Sequence, residues 1–224
     1  MFAADIKRPL TNDELLDLVD ADGFYRFPAS IDDYWNLLAE AQYRADYYDH
    51  HIIATMSYES DIHSRIVSEF GFILRSIFAD RETHLVYSSN RPVYMKAYSE
   101  AGAGPVGAVF NADGMVVSLP RQTHEYRPGG PSSRLSAETT PVLLIEVLSP
   151  STRRYDLGTK LPAYKQIPSL QTILYVEQHK PDVTVMERQA PNRWTETRLQ
   201  ATNESFLIAG TSVTLEQIYR GVDM

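Results

Sequence analysis

Residues 142–166 read VLLIEVLSPSTRRYDLGTKLPAYKQ, and this stretch decides the architecture. The run 142–145 is apolar without interruption, the pattern of a central strand covered on both faces. It ends on Glu146, an acid whose burial costs free energy unless something compensates it. Ser149, Pro150, Ser151 and Thr152 then break the strand, and 153–166 reads as a helical segment. Strand runs follow at 172–177 and 183–188, flanking His179-Lys180-Pro181-Asp182 as a hairpin turn. A buried strand, a short helical crossover and further strands predict an α/β (α+β) protein built on a mixed β-sheet.

Working outward, Ile62, Ile66, Phe70, Ile73, Leu74 and Ile77 recur in steps of three and four. They make 59–78 the longest amphipathic helix, expected on one face of the sheet with 153–166 alongside. Residues 47–56 read as one strand. Short strand runs are expected at 84–87, 92–97, 106–110, 115–119 and 194–199. Residues 120–140, rich in Pro, Gly, Ser and Thr, read as a loop, and 214–219 as a closing helix. Near the start, Thr11-Asn12-Asp13-Glu14 forms a capping box before Leu15, and Ser30 opens a second helix. The expected organisation is an acidic helical extension over 1–29 and a single domain over 30–224.

The chain has 224 residues, 43% hydrophobic and 22% charged, an ordinary globular composition. The absence of cysteine excludes a disulfide scaffold, an iron–sulfur site and a cysteine-rich zinc site. No run approaches the roughly 18 apolar residues of a membrane span. MFAADIKRPL carries no apolar signal segment, so a cytoplasmic protein with no membrane partner is expected. The net charge of −8, taken whole, opposes a polyanionic partner. Yet residues 1–50 hold eleven acids and four bases, which is −7 of that total.

Asp113, in NADGMVV, and Glu146 each border an apolar strand. With Lys160 they form the candidate catalytic trio. Two carboxylates brought together repel unless a cation or shared proton lies between them. A hard divalent ion takes such oxygen ligands and can activate water against a phosphate, and a lysine can stabilise the charge that develops. Spacing alone leaves other readings open. Asp113-Gly114 is a common turn signal. Glu146 has Arg153 and Arg154 within reach, and Lys160 has Asp156 four residues before it on a helix. The histidines His50 and His51 alternate faces on a strand, and Ser149 and Ser151 have no local histidine partner.

The stretch IEVLSPSTRRYDLGTKLPAYKQ resembles the signature of the Uma-two family, bacterial endonucleases of the PD-(D/E)XK restriction-endonuclease-like superfamily. The family's E-V-x-S-P-S-T run falls on Glu146, Val147, Ser149, Pro150, Ser151 and Thr152. Its following Asp, Lys and Tyr fall on Asp156, Lys160 and Tyr164. NADGMVV resembles the family's P-D-x-x-V-V segment, with Ala112 in place of its proline. DYYDHHIIATMSYESDIHSRIV resembles its opening strand and histidine-bearing helix, with His63 on the histidine, and ILYVEQHKPDVTVMER its closing hairpin. The resemblance covers roughly residues 30–220.

It implies a restriction-endonuclease-like core and a metal-dependent endonuclease that hydrolyses DNA phosphodiester bonds. Asp113 and Glu146 would be metal-binding carboxylates for Mg²⁺ or Mn²⁺, with the Val147 carbonyl as a third ligand. Leu148 stands where the superfamily usually carries its lysine, so Lys160 would replace it from the next helix. Asp46 lies near the place of an N-terminal family glutamate. Pro162, two residues after Lys160, bears on how that lysine is aimed. The alternative is a catalytically inactive nuclease-fold binding or assembly module. A homodimer through an exposed strand edge is compatible with either reading. Around the trio, residues 121–165 hold seven bases against four acids, so the global charge does not exclude DNA.

Overall fold

The computed structural model describes residues 10–41, 43–55, 60–80, 82–88, 91–96, 107–126 and 135–222. In chain order the strands are β1 (Phe24–Pro28), β2 (Arg44–Tyr48), β3 (His51–Thr55), β4 (His84–Tyr87), β5 (Arg91–Met95), β6 (Ala108–Ala112), β7 (Gly114–Ser118) and β8 (Thr123–Tyr126). They continue as β9 (Leu135–Glu138), β10 (Pro141–Leu148), β11 (Thr172–Glu177), β12 (Val183–Ala190), β13 (Arg193–Leu199), β14 (Ser205–Ile208) and β15 (Thr211–Thr214). The helices are α1 (Asn12–Leu16), α2 (Ile31–Leu38), α3 (Asp61–Ile77), α4 (Arg153–Tyr155), α5 (Leu161–Tyr164) and α6 (Leu215–Ile218). A π-helical turn, Asp156–Lys160, joins α4 to α5. The chain folds into two compact units, one of residues 1–58, 92–111 and 123–139, the other of 59–91, 112–122 and 140–224.

The first unit is built on a seven-stranded sheet, order β1-β3-β2-β6-β5-β9-β8. Both expected helix starts are capped. Thr11 Oγ1 accepts the Glu14 N–H while Glu14 returns a bond to the Thr11 N–H, and Ser30 and Asp33 do the same for α2. Leu15, Tyr34, Trp35, Tyr47 and Val109 are fully or almost fully buried in its core. Two expectations fail here. Residues 47–56 are not one strand, because Asp49 and His50 both take positive φ, 48° and 57°. That pair makes the two-residue turn of a β2–β3 hairpin, with Tyr48 opposite His51. Residues 120–140 are not only loop, because β8 and β9 pair antiparallel from Thr123↔Glu138 to Tyr126↔Leu135. Residues 127–134 of that stretch lie outside the described residues.

The second unit carries a six-stranded sheet, order β13-β12-β11-β10-β7-β4. The β10–β11 pair is parallel and its other pairs are antiparallel, so the sheet is mixed as expected. Strand β10 lies inside it, and alternation splits its residues between two faces. Leu143, Ile145 and Val147 join Ile66, Phe70 and Leu74 of α3 in the larger core, with Leu215 and Ile218 of α6. Leu144, Glu146 and Leu148 alternate onto the opposite face. Truncating a fully buried leucine such as Leu144 would cost about 2–5 kcal/mol. The β14–β15 hairpin, turning at Ala209-Gly210 with positive φ at both, was absent from the sequence reading, as was β1 of the first unit. Among the described residues no helix is long and apolar enough to cross a membrane.

Candidate active site

The site is assembled within the second unit. The last residues of β10 place Glu146, 2% exposed, level with Tyr175 of the parallel β11. Asp113 enters from the antiparallel neighbour, just before β7. Its backbone N–H donates to the Ile145 carbonyl at 3.1 Å. Its Oδ2 accepts the Val147 N–H at 2.8 Å, so Asp113 is stapled to β10 on both sides of Glu146. Gly114 permits this approach, because a Cβ there would lie 3.2 Å from Ile145 Cδ1. His63, one turn into α3, brings Nε2 to 3.2 Å from the same Oδ2.

Lys160 arrives by an unusual backbone route. Pro162 has no N–H, and its ring would press on the carbonyl four residues earlier in a regular helix. The chain widens into the π-helical turn immediately before it, and the Leu161 N–H reaches back five residues to the Asp156 carbonyl. Such single-turn widenings recur at functional sites. Lys160 Nζ lies 3.2 and 3.3 Å from the two oxygens of Glu146 and 3.1 Å from Asp156 Oδ1. Tyr164, one turn later and fully buried, donates its hydroxyl to Glu146 Oε1 at 2.6 Å. The Tyr155 ring lies 5.7 Å from the ammonium.

Two buried carboxylates, Glu146 and Asp156, thus meet one buried ammonium, and a third, Asp113, is held beside Glu146 on the neighbouring strand. Burial pushes Glu146 well above the usual carboxylate range. The Lys160 charge pulls it down, while Asp156 and Asp113 push it further up. Asp156 is also raised by burial, against the pull of Lys160. Asp113 is buried too, but His63, Lys160 and the Val147 N–H together hold it below its ordinary value. Two neighbouring carboxyls pushed in opposite directions are what acid–base chemistry exploits.

The readings left open by spacing now resolve. Lys160 meets Glu146 and Asp156 at once. Arg153 pairs with Glu177 instead of Glu146. Ser149, Ser151 and Thr152 bond to one another in the turn after β10. Asp46 lies in the first unit, where it accepts the Asn111 N–H and side-chain amide at 2.9 and 2.8 Å. His51 bonds the Asp49 carbonyl. The pairing of Lys160 with Asp156, open from their spacing of four, is present, whereas sequence reasoning named Tyr164 without assigning it a task. Among the described residues no three His, Asp or Glu side chains converge as a metal cluster, so any metal here would rest on two carboxylates and backbone oxygen.

Comparison with known proteins bears on this arrangement. Residues 31–216 match the model of the Uma2 family, described as "Putative restriction endonuclease". The chain belongs to the Uma2 family. This Uma2 member is also similar in structure to "a putative nuclease belonging to DUF820" from Anabaena variabilis. The TM-score is 0.55 at 14% identity, over 94% of this chain and 98% of that one. That likeness shows the fold, a restriction-endonuclease-like mixed sheet with flanking helices. An uncharacterized protein of Synechocystis is 35% identical over 95 residues, 41% of this chain and 50% of the relative. The match thus spans about half the length of the curated relative.

Proposed function

We propose that this Uma2 member is a metal-dependent nuclease that hydrolyses phosphodiester bonds of DNA. One observation carries the reading: buried Asp113 is stapled to β10 beside buried Glu146, and Lys160 joins Glu146 to buried Asp156. Burial makes the ionised forms of Glu146 and Asp156 costly, and a bound cation would relieve that cost. The donors suit Mg²⁺ or Mn²⁺, since Asp113, Glu146 and the Val147 carbonyl are hard oxygens without sulfur. When bound there, such an ion would supply an activated water and neutralise charge on the phosphate. The Lys160 Nζ, held between Glu146 and Asp156, would face the charge that develops on the phosphate oxygens. Tyr164 holds the rotamer of Glu146. Asp156 holds the other side of Lys160, and the Val147 N–H and His63 hold Asp113. Every group of the trio is therefore oriented before substrate arrives.

The test is a Mg²⁺ and Mn²⁺ titration with supercoiled plasmid, single-stranded DNA and RNA of matched length. Asp113→Ala and Glu146→Ala are expected to abolish divalent-dependent cleavage while circular dichroism stays unchanged. Cleavage unaffected by either substitution sinks the proposal. The second reading, an inactive binding module, draws support from Glu146, whose two oxygens already meet Lys160 and Tyr164. It expects nucleic-acid binding with no cleavage and no rise in melting temperature on adding Mg²⁺.

A further inference from the structure

The second unit carries a groove of about 360 Å³ beyond the end of α5. Lys165 and Arg188 line it with the amides of Gln166, Gln171, Gln189 and Asn192. The remaining lining is proline and alanine, and no carboxylate takes part. In a chain of net charge −8, this is a local reversal of sign.

Arg188 is held there by neutral partners. Its Nε donates to the Leu170 carbonyl at 2.6 Å, and Nη2 donates to the Lys165 and Ile167 carbonyls at 2.9 and 2.7 Å. Nη1 donates to the Pro191 carbonyl. The Trp194 ring lies 4.4 Å from the guanidinium carbon. Carbonyls orient the cation without cancelling its charge, and a guanidinium stays protonated in such surroundings. Lys165 adds a second positive charge, and each amide has two N–H groups, of which Gln171 and Gln189 spend one on Ser169 and Thr195.

In the strand direction the groove lies about three residues from the level of Glu146. Lys165 directly follows Tyr164. On the β10–β11 pair, Thr172, next to Gln171, lies opposite Leu143, while Tyr175 lies opposite Glu146. Three residues of strand span roughly 10 Å. Phosphates along one DNA strand rise by about 3.4 Å each along the helix axis.

We propose that this groove binds the phosphodiester backbone of a polynucleotide strand a few nucleotides from the bond that is cut. The inference rests on the nuclease reading and extends it to substrate grip.

The test is fluorescence anisotropy of a labelled DNA oligonucleotide against a NaCl series without divalent ions, in the Glu146→Gln background. Lys165→Glu and Gln189→Glu are surface changes, and a thermal melt checks that each variant is folded. Each is expected to weaken binding at least five-fold. Lys165→Glu is expected to reduce the slope of log K against log salt by about one, the loss of one phosphate contact. Lys165→Arg restores binding. Arg65→Glu, the same charge change on exposed α3, leaves affinity within two-fold. Unchanged affinity in the groove variants of a protein that binds and cleaves overturns the groove and leaves the nuclease reading standing. Equal weakening by Arg65→Glu also overturns it, since global charge then accounts for the effect. A wild-type protein that neither binds nor cleaves overturns both.

Discussion

The Tyr164 hydroxyl donates a 2.6 Å hydrogen bond to Oε1 of Glu146, and both side chains are buried. A bond to a carboxylate is stronger than a neutral one and contributes about 1.5–3 kcal/mol. Removing the hydroxyl in Tyr164→Phe leaves the ring to fill its space. The expected result is a fold destabilised by about that amount and cleavage slowed at least ten-fold, because Glu146 gains rotamer freedom. Urea unfolding and single-turnover cleavage rates read the two effects. A variant of wild-type stability and rate would show that the hydroxyl contributes nothing to either.

Lys160 stands between Glu146 and Asp156, so its charge serves two buried acids. Lys160→Met retains most of the stem's volume and removes the ammonium. Breaking a buried pair in this way costs about 3–5 kcal/mol, because an uncompensated charge remains. Adding Glu146→Gln removes one of the stranded acids. The double variant is therefore expected to be more stable than Lys160→Met alone, by denaturant unfolding. Strictly additive losses would mean that the three groups do not act as one cluster.

The candidate site was only partly legible before the fold was known, and the division follows range. The apolar run ahead of Glu146 announces a buried strand ending on an acid, because alternation and burial are local properties. The long helix was equally legible from its period, and α3 runs Asp61–Ile77. Asp113 was legible as a residue at a strand edge. Its staple to the Val147 N–H was not, because that bond depends on the β7–β10 register and on the missing Cβ of Gly114. Tyr164 escaped for a different reason. Its spacing of four from Lys160 puts both on one helix face, but that this face meets Glu146 depends on how the segment and its π-helical turn pack on β10, which is not a local property. The sequence clue was Pro162, which reads as a disturbance of the helix and is where the widening ends.

Pro162 yields a prediction of its own. Pro162→Ala restores an N–H that can bond four residues back, and it removes the ring that opposes a regular helix. The turn at Asp156–Lys160 is expected to tighten, rotating Lys160 away from Glu146. Stability should hold or rise while cleavage falls, which separates this change from a folding defect. Cα chemical shifts over 156–164 would report the tightening. Persistence of the Lys160–Glu146 contact in a crystal structure of the variant would refute it.

His63 and the Val147 N–H meet at Oδ2 of Asp113. His63→Ala is expected to release one of the two bonds and lower the cleavage rate. His63→Gln, whose amide can donate from nearly the same place, should recover much of it. A glutamine variant no better than alanine would mean that His63 acts by packing, and calorimetric Mn²⁺ affinity offers a readout independent of turnover.

Asp182, away from the trio, sets an acid limit on the closing hairpin. Its carboxylate accepts from Arg198 Nε and Nη2 at 2.8 and 2.6 Å, from Lys180 at 2.7 Å and from Gln200 at 3.0 Å. These bonds, Arg198 foremost, outweigh burial and hold Asp182 well below the usual carboxylate range. The Tyr219 hydroxyl anchors the same turn, accepting the Asp182 N–H at 3.1 Å and donating to the Glu177 carbonyl at 2.9 Å. A depressed folded pKa stabilises above the unfolded value of about 3.9, and the contribution drains away as pH falls below it. Arg198 and Lys180 are half exposed, so solvent screening keeps the contribution near 1 kcal/mol. Asp182→Asn should therefore melt about 2–4 °C below the wild type at pH 7. The gap should narrow steadily below about pH 4 at constant ionic strength. A gap that stays constant from pH 7 to pH 3 would mean that ionised Asp182 is not what stabilises the turn.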